Sequence, residues 1–316
     1  MKLRRTLLPF AVVFAIIASD AEAETITGAQ YAAPVDRYGH FALGQPHEYA
    51  RLTVTTDSGR SLELLLPEDE VFEDLAPRLV SLAIGEPAEV LAIVSRRDDG
   101  SRLVMIRLSG DRLEVSAESP AIGMPRRWLN PVGVADLDGD GRAEIATVTT
   151  PHIGGTLRVY RRNGKKLVEI AALAGFSNHV YGTSELGLSM PVSIGGRMRL
   201  LVPDATRLHL RITALESGRL VEVGRCALPA PVTGAIRVVS PSEVSVGLTT
   251  GRRIIVLDDC LANRARGVSG PQSTTNLAVV TDALPPPRLH LASFSARRTP
   301  LRSASESQGI KLSRGN

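Results

Sequence analysis

Aromatic residues are scarce in this chain of 316: six Phe, five Tyr and one Trp, 4% in all. That argues against an aromatic platform for stacking sugars or single-stranded nucleic acid. Cysteine is rarer still, at two, which excludes an iron–sulfur cluster or a cysteine-ligated structural zinc within one chain. After the opening segment no apolar run approaches the ~18 residues of a membrane-spanning helix, and sustained helical periodicity is missing. G-x-S-x-G, H-E-x-x-H, a P-loop and a full G-x-G-x-x-G are all absent, so no familiar nucleophile, zinc-protease or phosphate-loop chemistry is announced. The remaining composition, 43% hydrophobic and 22% charged, is that of an ordinary globular protein. The length suits one repeat domain of ~200–250 residues or two ordinary domains.

The opening segment reads as an export signal. Lys2, Arg4 and Arg5 precede the apolar run Leu7 to Ala18, and Ala21-Glu22-Ala23 gives a small-x-small cleavage pattern. At ~1.5 Å per residue the run spans about 18 Å, short of a ~30 Å bilayer core. Arg4-Arg5 loosely echoes a twin-arginine signal, but a plain basic leader is the preferred reading. The expectation is a signal peptide over 1–23 and a periplasmic or extracellular protein. In that oxidising setting Cys226 and Cys260, the two cysteines, would either bridge or remain two idle thiols.

The net charge is +4, and its excess lies at the end of the chain. From 261 to 316, Arg264, Arg266, Arg288, Arg297, Arg298, Arg302, Lys311 and Arg314 face only Asp282 and Glu306. This basic stretch is rich in Ser, Pro and Gly and is expected to be a disordered tail. It would contribute weak contact with an acidic envelope surface or simply solubility. Without interleaved aromatics it makes no nucleic-acid interface.

Between these ends, 24–260, the chain repeats. Leu82, Ala88 and Glu89 recur as Leu137, Ala143 and Glu144, and Gly110 and Leu113 recur as Gly164 and Leu167. Lys166-Leu167-Val168-Glu169 returns as Arg219-Leu220-Val221-Glu222. Each copy divides into short Val-, Ile- and Leu-rich runs with polar alternation. Turn residues separate them, as at Asp98-Asp99-Gly100, Gly154-Gly155 and Ser217-Gly218. An early hairpin around Asp57-Ser58-Gly59 precedes the copies, and 71–80 leaves room for one helical turn. Such a repeat fits an all-β fold, a β-propeller of four or five four-stranded blades, with the early hairpin completing the last blade.

One loop carries specific chemistry. Asp136, Asp138, Asp140 and Glu144 occupy positions 1, 3, 5 and 9 of Asp136-Leu137-Asp138-Gly139-Asp140-Gly141-Arg142-Ala143-Glu144. Arg142, at position 7, can offer its backbone carbonyl. Four acids this close repel, and a hard divalent cation with many oxygen ligands, best Ca2+, resolves the conflict. An EF-hand is excluded: its position 12 is Glu, here Thr147, and the flanking residues are strand-like.

At 134–146 the sequence resembles the FG-GAP or VCBS repeats of integrin-α-like propellers, whose loop is D-x-D-G-D-G-x-x-[DE]. The resemblance implies that Asp136, Asp138, Asp140, the Arg142 carbonyl and Glu144 ligate one structural calcium. The upstream copy has Ser81, Ala83 and Gly85 at ligand positions and keeps only Glu89, and Arg197 stands where Glu144 aligns in the next copy. A single metal site is therefore expected. His152 and His179 follow turns and come within reach of a common surface, although an exposed loop histidine is the ordinary case. The functional expectation is a secreted, calcium-stabilised, non-catalytic binding or scaffold protein for a protein or polysaccharide ligand. The alternative is a calcium-dependent hydrolase or lyase acting on an extracellular polymer.

Overall fold

The computed structural model describes residues 24–261, so the expected signal segment and the tail beyond Leu261 lie outside the described residues. The described chain is all-β, with a single helical turn over 257–261. Its strands form antiparallel meanders in chain order. The first holds β1 (Ile26–Pro34), β2 (Tyr49–Thr56) and β3 (Ser61–Leu65). The second holds β4 (Glu70–Phe72), β5 (Arg78–Val80), β6 (Glu89–Arg96), β7 (Gly100–Ser109) and β8 (Arg112–Glu118). The third is β9 (Leu129–Ala135), β10 (Glu144–Thr149), β11 (Gly155–Asn163) and β12 (Lys166–Phe176). The fourth is β13 (Met190–Ile194), β14 (Arg197–Pro203), β15 (His209–Glu216) and β16 (Arg219–Ala227). The last has only β17 (Val232–Ser240), β18 (Glu243–Leu248) and β19 (Gly251–Val256). Single residue pairs, Tyr49 with Phe72 and Lys166 with Glu118, link the first three meanders into one sheet.

The alternation of the sequence explains the layering. In β2 the residues Ala50, Leu52 and Val54 are buried while Arg51 and Thr53 between them are not. Inner strands are covered on both faces, as in β10, which is buried throughout. Each meander shares a hydrophobic cluster with the next. Leu52, Phe72 and Val94 join the first to the second. Leu91, Trp128 and Ile145 join the second to the third. Val148, Phe176 and Val202 join the third to the fourth, and Ile212, Val232 and Val246 join the fourth to the fifth. Among the described residues no buried cluster joins the fifth to the first, and the sheets do not define a closed ring.

Two expectations need correction. The early hairpin does not complete the last blade: the inward residues of β2 pack on β6, so the first and last meanders have three strands each. Nor does 71–80 hold a helical turn. Both β4 and β5 pair with β6, and the residues between them leave the ladder because Glu73 and Asp74 are drawn inward by His40 and Arg78.

Tight turns keep the meanders compact. Ser217 and Gly218 both have positive φ, 50° and 74°, the pair of conformations that suits a two-residue hairpin joining twisted strands. Cys226 of β16 is disulfide-bonded to Cys260 of the terminal helical turn, which closes that turn over the fourth meander.

Candidate functional site

The acidic loop joins β9 to β10, which pair with Ala135 opposite Glu144. Asp136 organises the loop through its own backbone. Its Oδ1 accepts the N–H of Gly139 at 2.7 Å and of Asp140 at 3.2 Å, and its Oδ2 accepts that of Gly141 at 2.9 Å. Gly139 and Gly141 adopt φ near +84° and +86°, conformations a side chain would oppose. Glu144 is fully buried at the head of β10. Its Oε2 accepts the Leu137 N–H at 2.9 Å. One carboxylate oxygen from each of Asp136, Asp138 and Glu144 lies within 4.8 Å of the others.

Asp140 is not among those three converging acids. Asp140 Oδ1 accepts the N–H of Arg142 at 2.8 Å. Arg142 bridges Ala83 of the ligand-poor upstream loop, and Leu82 accepts the N–H of Ala143 at 2.7 Å. The two aligned loops thus lean on one another. In the fourth meander the same position shrinks to the turn Gly195-Gly196, with no acids at all.

Arg161 was not singled out from the sequence, yet it is central to this loop. From β11 it donates to Asp138 Oδ2 at 2.6 Å and to Glu144 Oε1 through Nη2 at 2.6 Å and Nε at 3.0 Å, and it lies 3.6 Å from Asp140. Burial pushes the Glu144 carboxyl above its ordinary range, opposed by the Leu137 N–H and by Arg161. The bonds to Asp138 and Glu144 hold the Arg161 guanidinium still more firmly protonated than usual. The β10–β11 register, with Ile145 opposite Tyr160, sets Arg161 across from Glu144; that hairpin pairing is the signal that finds it.

The other edge of the same meander carries a second cluster. Starts of odd strands and ends of even strands share one edge of an antiparallel meander, so Trp128 before β9, His152 after β10 and His179 after β12 come together opposite the acidic loop. His179 is fully buried rather than exposed. His152 Nε2 lies 2.8 Å from His179 Nδ1, and His179 Nε2 lies 2.9 Å from the Thr183 carbonyl. A carbonyl only accepts, so His179 carries its proton on Nε2 and accepts at Nδ1. His152 therefore donates from Nε2 and keeps a lone pair on Nδ1. Trp128 stacks parallel to His152 with ring centroids 6.0 Å apart, and Tyr181 meets His152 edge-on at 5.2 Å.

Desolvation, reinforced by neighbouring positive charge, lowers His152 to about 3, and burial lowers His179 to about 4, so both are neutral at pH 7. Beside them His40 Nδ1 pairs with Glu73 Oε1 at 2.7 Å, and Glu73 also accepts from Ser95 Oγ at 2.6 Å. Burial raises the Glu73 carboxyl against these partners. The Trp128 indole N–H donates to the Glu73 carbonyl at 2.9 Å. Four non-glycine residues around this cluster, Phe41, Arg126, Thr150 and Arg207, have positive φ, which is backbone strain of the kind that gathers at binding sites.

Among the described residues no helix is long and apolar enough to cross a membrane. Comparison with known family models and with curated proteins gives no match for this chain.

Proposed function

We propose that the chain is an exported, calcium-braced module of the β-propeller type that binds a protein or polysaccharide partner without catalysis. The observation that carries the reading is the convergence of Asp136, Asp138 and Glu144 oxygens within 4.8 Å in a loop between two strands. Oxygens that far apart suit a hard cation bound at ~2.3–2.6 Å, and three carboxylates are the ligand chemistry calcium prefers. A calcium ion there would neutralise the mutual repulsion of the acids. The chain's own part is to present them. Asp136 fixes the loop backbone, and buried Glu144 anchors it to β10. Arg161 shares the oxygens of Asp138 and Glu144 and must yield them as a cation enters. The propeller reading draws on five successive meanders, each sharing a core with the next.

The test is thermal unfolding with a chelator and with calcium. Saturating calcium at about a hundred times its Kd should stabilise the fold by ~2.7 kcal/mol. Asp138→Ala should abolish that gain, and an unchanged melt of the native protein in excess calcium would reject the site. The second reading, a calcium-dependent hydrolase or lyase, draws on the free Nδ1 of His152. Turnover of extracellular polymers separates it from the first.

A further inference from the structure

At the edge that carries the acidic loop, the third and fourth meanders leave between them a cleft of about 630 Å³, a size that suits a small ligand or one unit of a polymer. Its charged walls are Asp136 and Asp138 from the loop, Arg197 and Arg199 at the start of β14, and Glu216 at the end of β15. All five are exposed or half-buried, so a ligand from solution reaches each of them. None of the lining residues is aromatic, which leaves recognition to charge and hydrogen bonding rather than to stacking.

Arginines on the neighbouring strands are paired: Arg158 with Glu169, Arg161 with Glu144 and Arg211 with Glu222. Arg197 and Arg199 break that habit. They stand two apart on β14, hence on one face of it, and the register sets Ile194 and Val192 opposite them. Arg199 Nη1 donates to the Met198 carbonyl at 3.3 Å. Among the described residues the Arg197 side chain has no hydrogen-bond partner, and neither arginine has an acid within salt-bridge distance. The exposed Glu216 carboxylate is also without a partner among the described residues. The cleft thus offers two guanidiniums to an acid and a carboxylate acceptor to hydroxyl groups. A phosphate, with its charge of about −1.5 to −2, would be repelled by Asp138 and Glu216; a single carboxylate on a hydroxyl-rich body meets less repulsion and uses both kinds of wall.

We infer that this cleft binds a uronate unit of an acidic sugar chain, with Arg197 and Arg199 on its carboxylate and Glu216 on its hydroxyls, and that calcium in the adjoining loop strengthens the binding. The coupling to calcium rests on the function proposed above; the arginine wall does not. Asp136 and Asp138 belong both to the three-acid convergence and to the wall of the cleft. With the loop empty, their charges repel an anion, and two positive charges placed there offset that repulsion. By linkage the sugar acid then tightens calcium by the same factor as calcium tightens the sugar acid.

Titration calorimetry of the full chain with sodium trigalacturonate, at fixed free calcium, should show one saturable site. Neutral maltotriose should show none, and triaspartate, an acidic peptide without hydroxyls, should bind about tenfold more weakly or less. A chelator in place of calcium should weaken trigalacturonate binding about tenfold. The double variant Arg197→Gln, Arg199→Gln should keep the native melt and still bind calcium, yet lose affinity for trigalacturonate about tenfold or more. Calcium titrated alone separates this inference from the reading it draws on. A native chain that takes up no trigalacturonate overturns the inference whether or not it binds calcium. Binding that needs the arginines but is equal in calcium and in chelator supports the cleft and overturns the coupling. Equal binding of maltotriose or triaspartate, or full binding by the folded double variant, would overturn the uronate site itself.

Discussion

Arg161 reaches Asp138 and Glu144 from the strand across the hairpin, so a cation entering the loop meets a resident positive charge. Replacing it by an uncharged side chain separates its two effects. Without calcium, Arg161→Gln should lower stability by about 1–3 kcal/mol, because buried Glu144 loses its charged partner. With calcium, the same change should tighten binding roughly tenfold, or ~1.4 kcal/mol, because nothing competes for the oxygens. Titration calorimetry of the two proteins reads both; equal affinities would show that Arg161 does not compete for the site. The histidines give a second test at this scale. Both pKa values are depressed below the usual 6.5, to about 3 for His152 and about 4 for His179. Between those values and 6.5 the unfolded chain binds more protons. Their contribution to stability is therefore present above pH 6.5 and is lost as pH falls, by at most ~1.4 kcal/mol per pH unit for each. For partly exposed His152 the slope is smaller. Buried Glu73 and Asp74, whose carboxyls are raised, work in the opposite sense, so the clean observable is the imidazole itself. Its resonances should stay flat from pH 8 to about 5; a midpoint near 6.5 for either ring would contradict their burial.

The elements were legible where a local rule operates alone. Leu113, Leu167 and Leu220, aligned by the repeat, each sit second in the last strand of a meander, 7%, 1% and 6% exposed. The hairpin around Asp57-Ser58-Gly59 and the strands flanking the acidic loop stand where alternation and turn residues put them. What escaped depends on partners far along the chain. The break between β4 and β5 exists because His40 holds Glu73 from 33 positions away. The histidine pair, 27 positions apart, meets only because an antiparallel meander returns both residues to one edge. Close approach of neighbouring meanders was equally hidden. A Cβ built on Gly133 of β9 would fall 2.6 Å from Pro191 Cδ of β13, so only glycine lets the two strands pass. Gly133→Ala should therefore destabilise by roughly 1–3 kcal/mol through overpacking. Urea unfolding checks this, and an unshifted midpoint would mean that the strands separate without cost.

At the scale of the whole molecule, stability is passed along a series. Every meander buries its apolar face against the next, so the third, which carries the acidic loop, is locked on both sides by shared cores. A ligand that braces this loop therefore raises the stability of the assembled β-structure rather than of one hairpin. The proposed ring requires the first and last meanders to meet, and the described cores stop at four junctions. The calcium assignment does not depend on that closure, since both strands of the loop and its counter-charge belong to one meander. Elemental analysis of the purified protein after dialysis against micromolar calcium tests it most directly. One bound calcium per chain is expected in the native protein and none in Asp138→Ala; a native chain that retains no calcium while remaining folded would contradict the account.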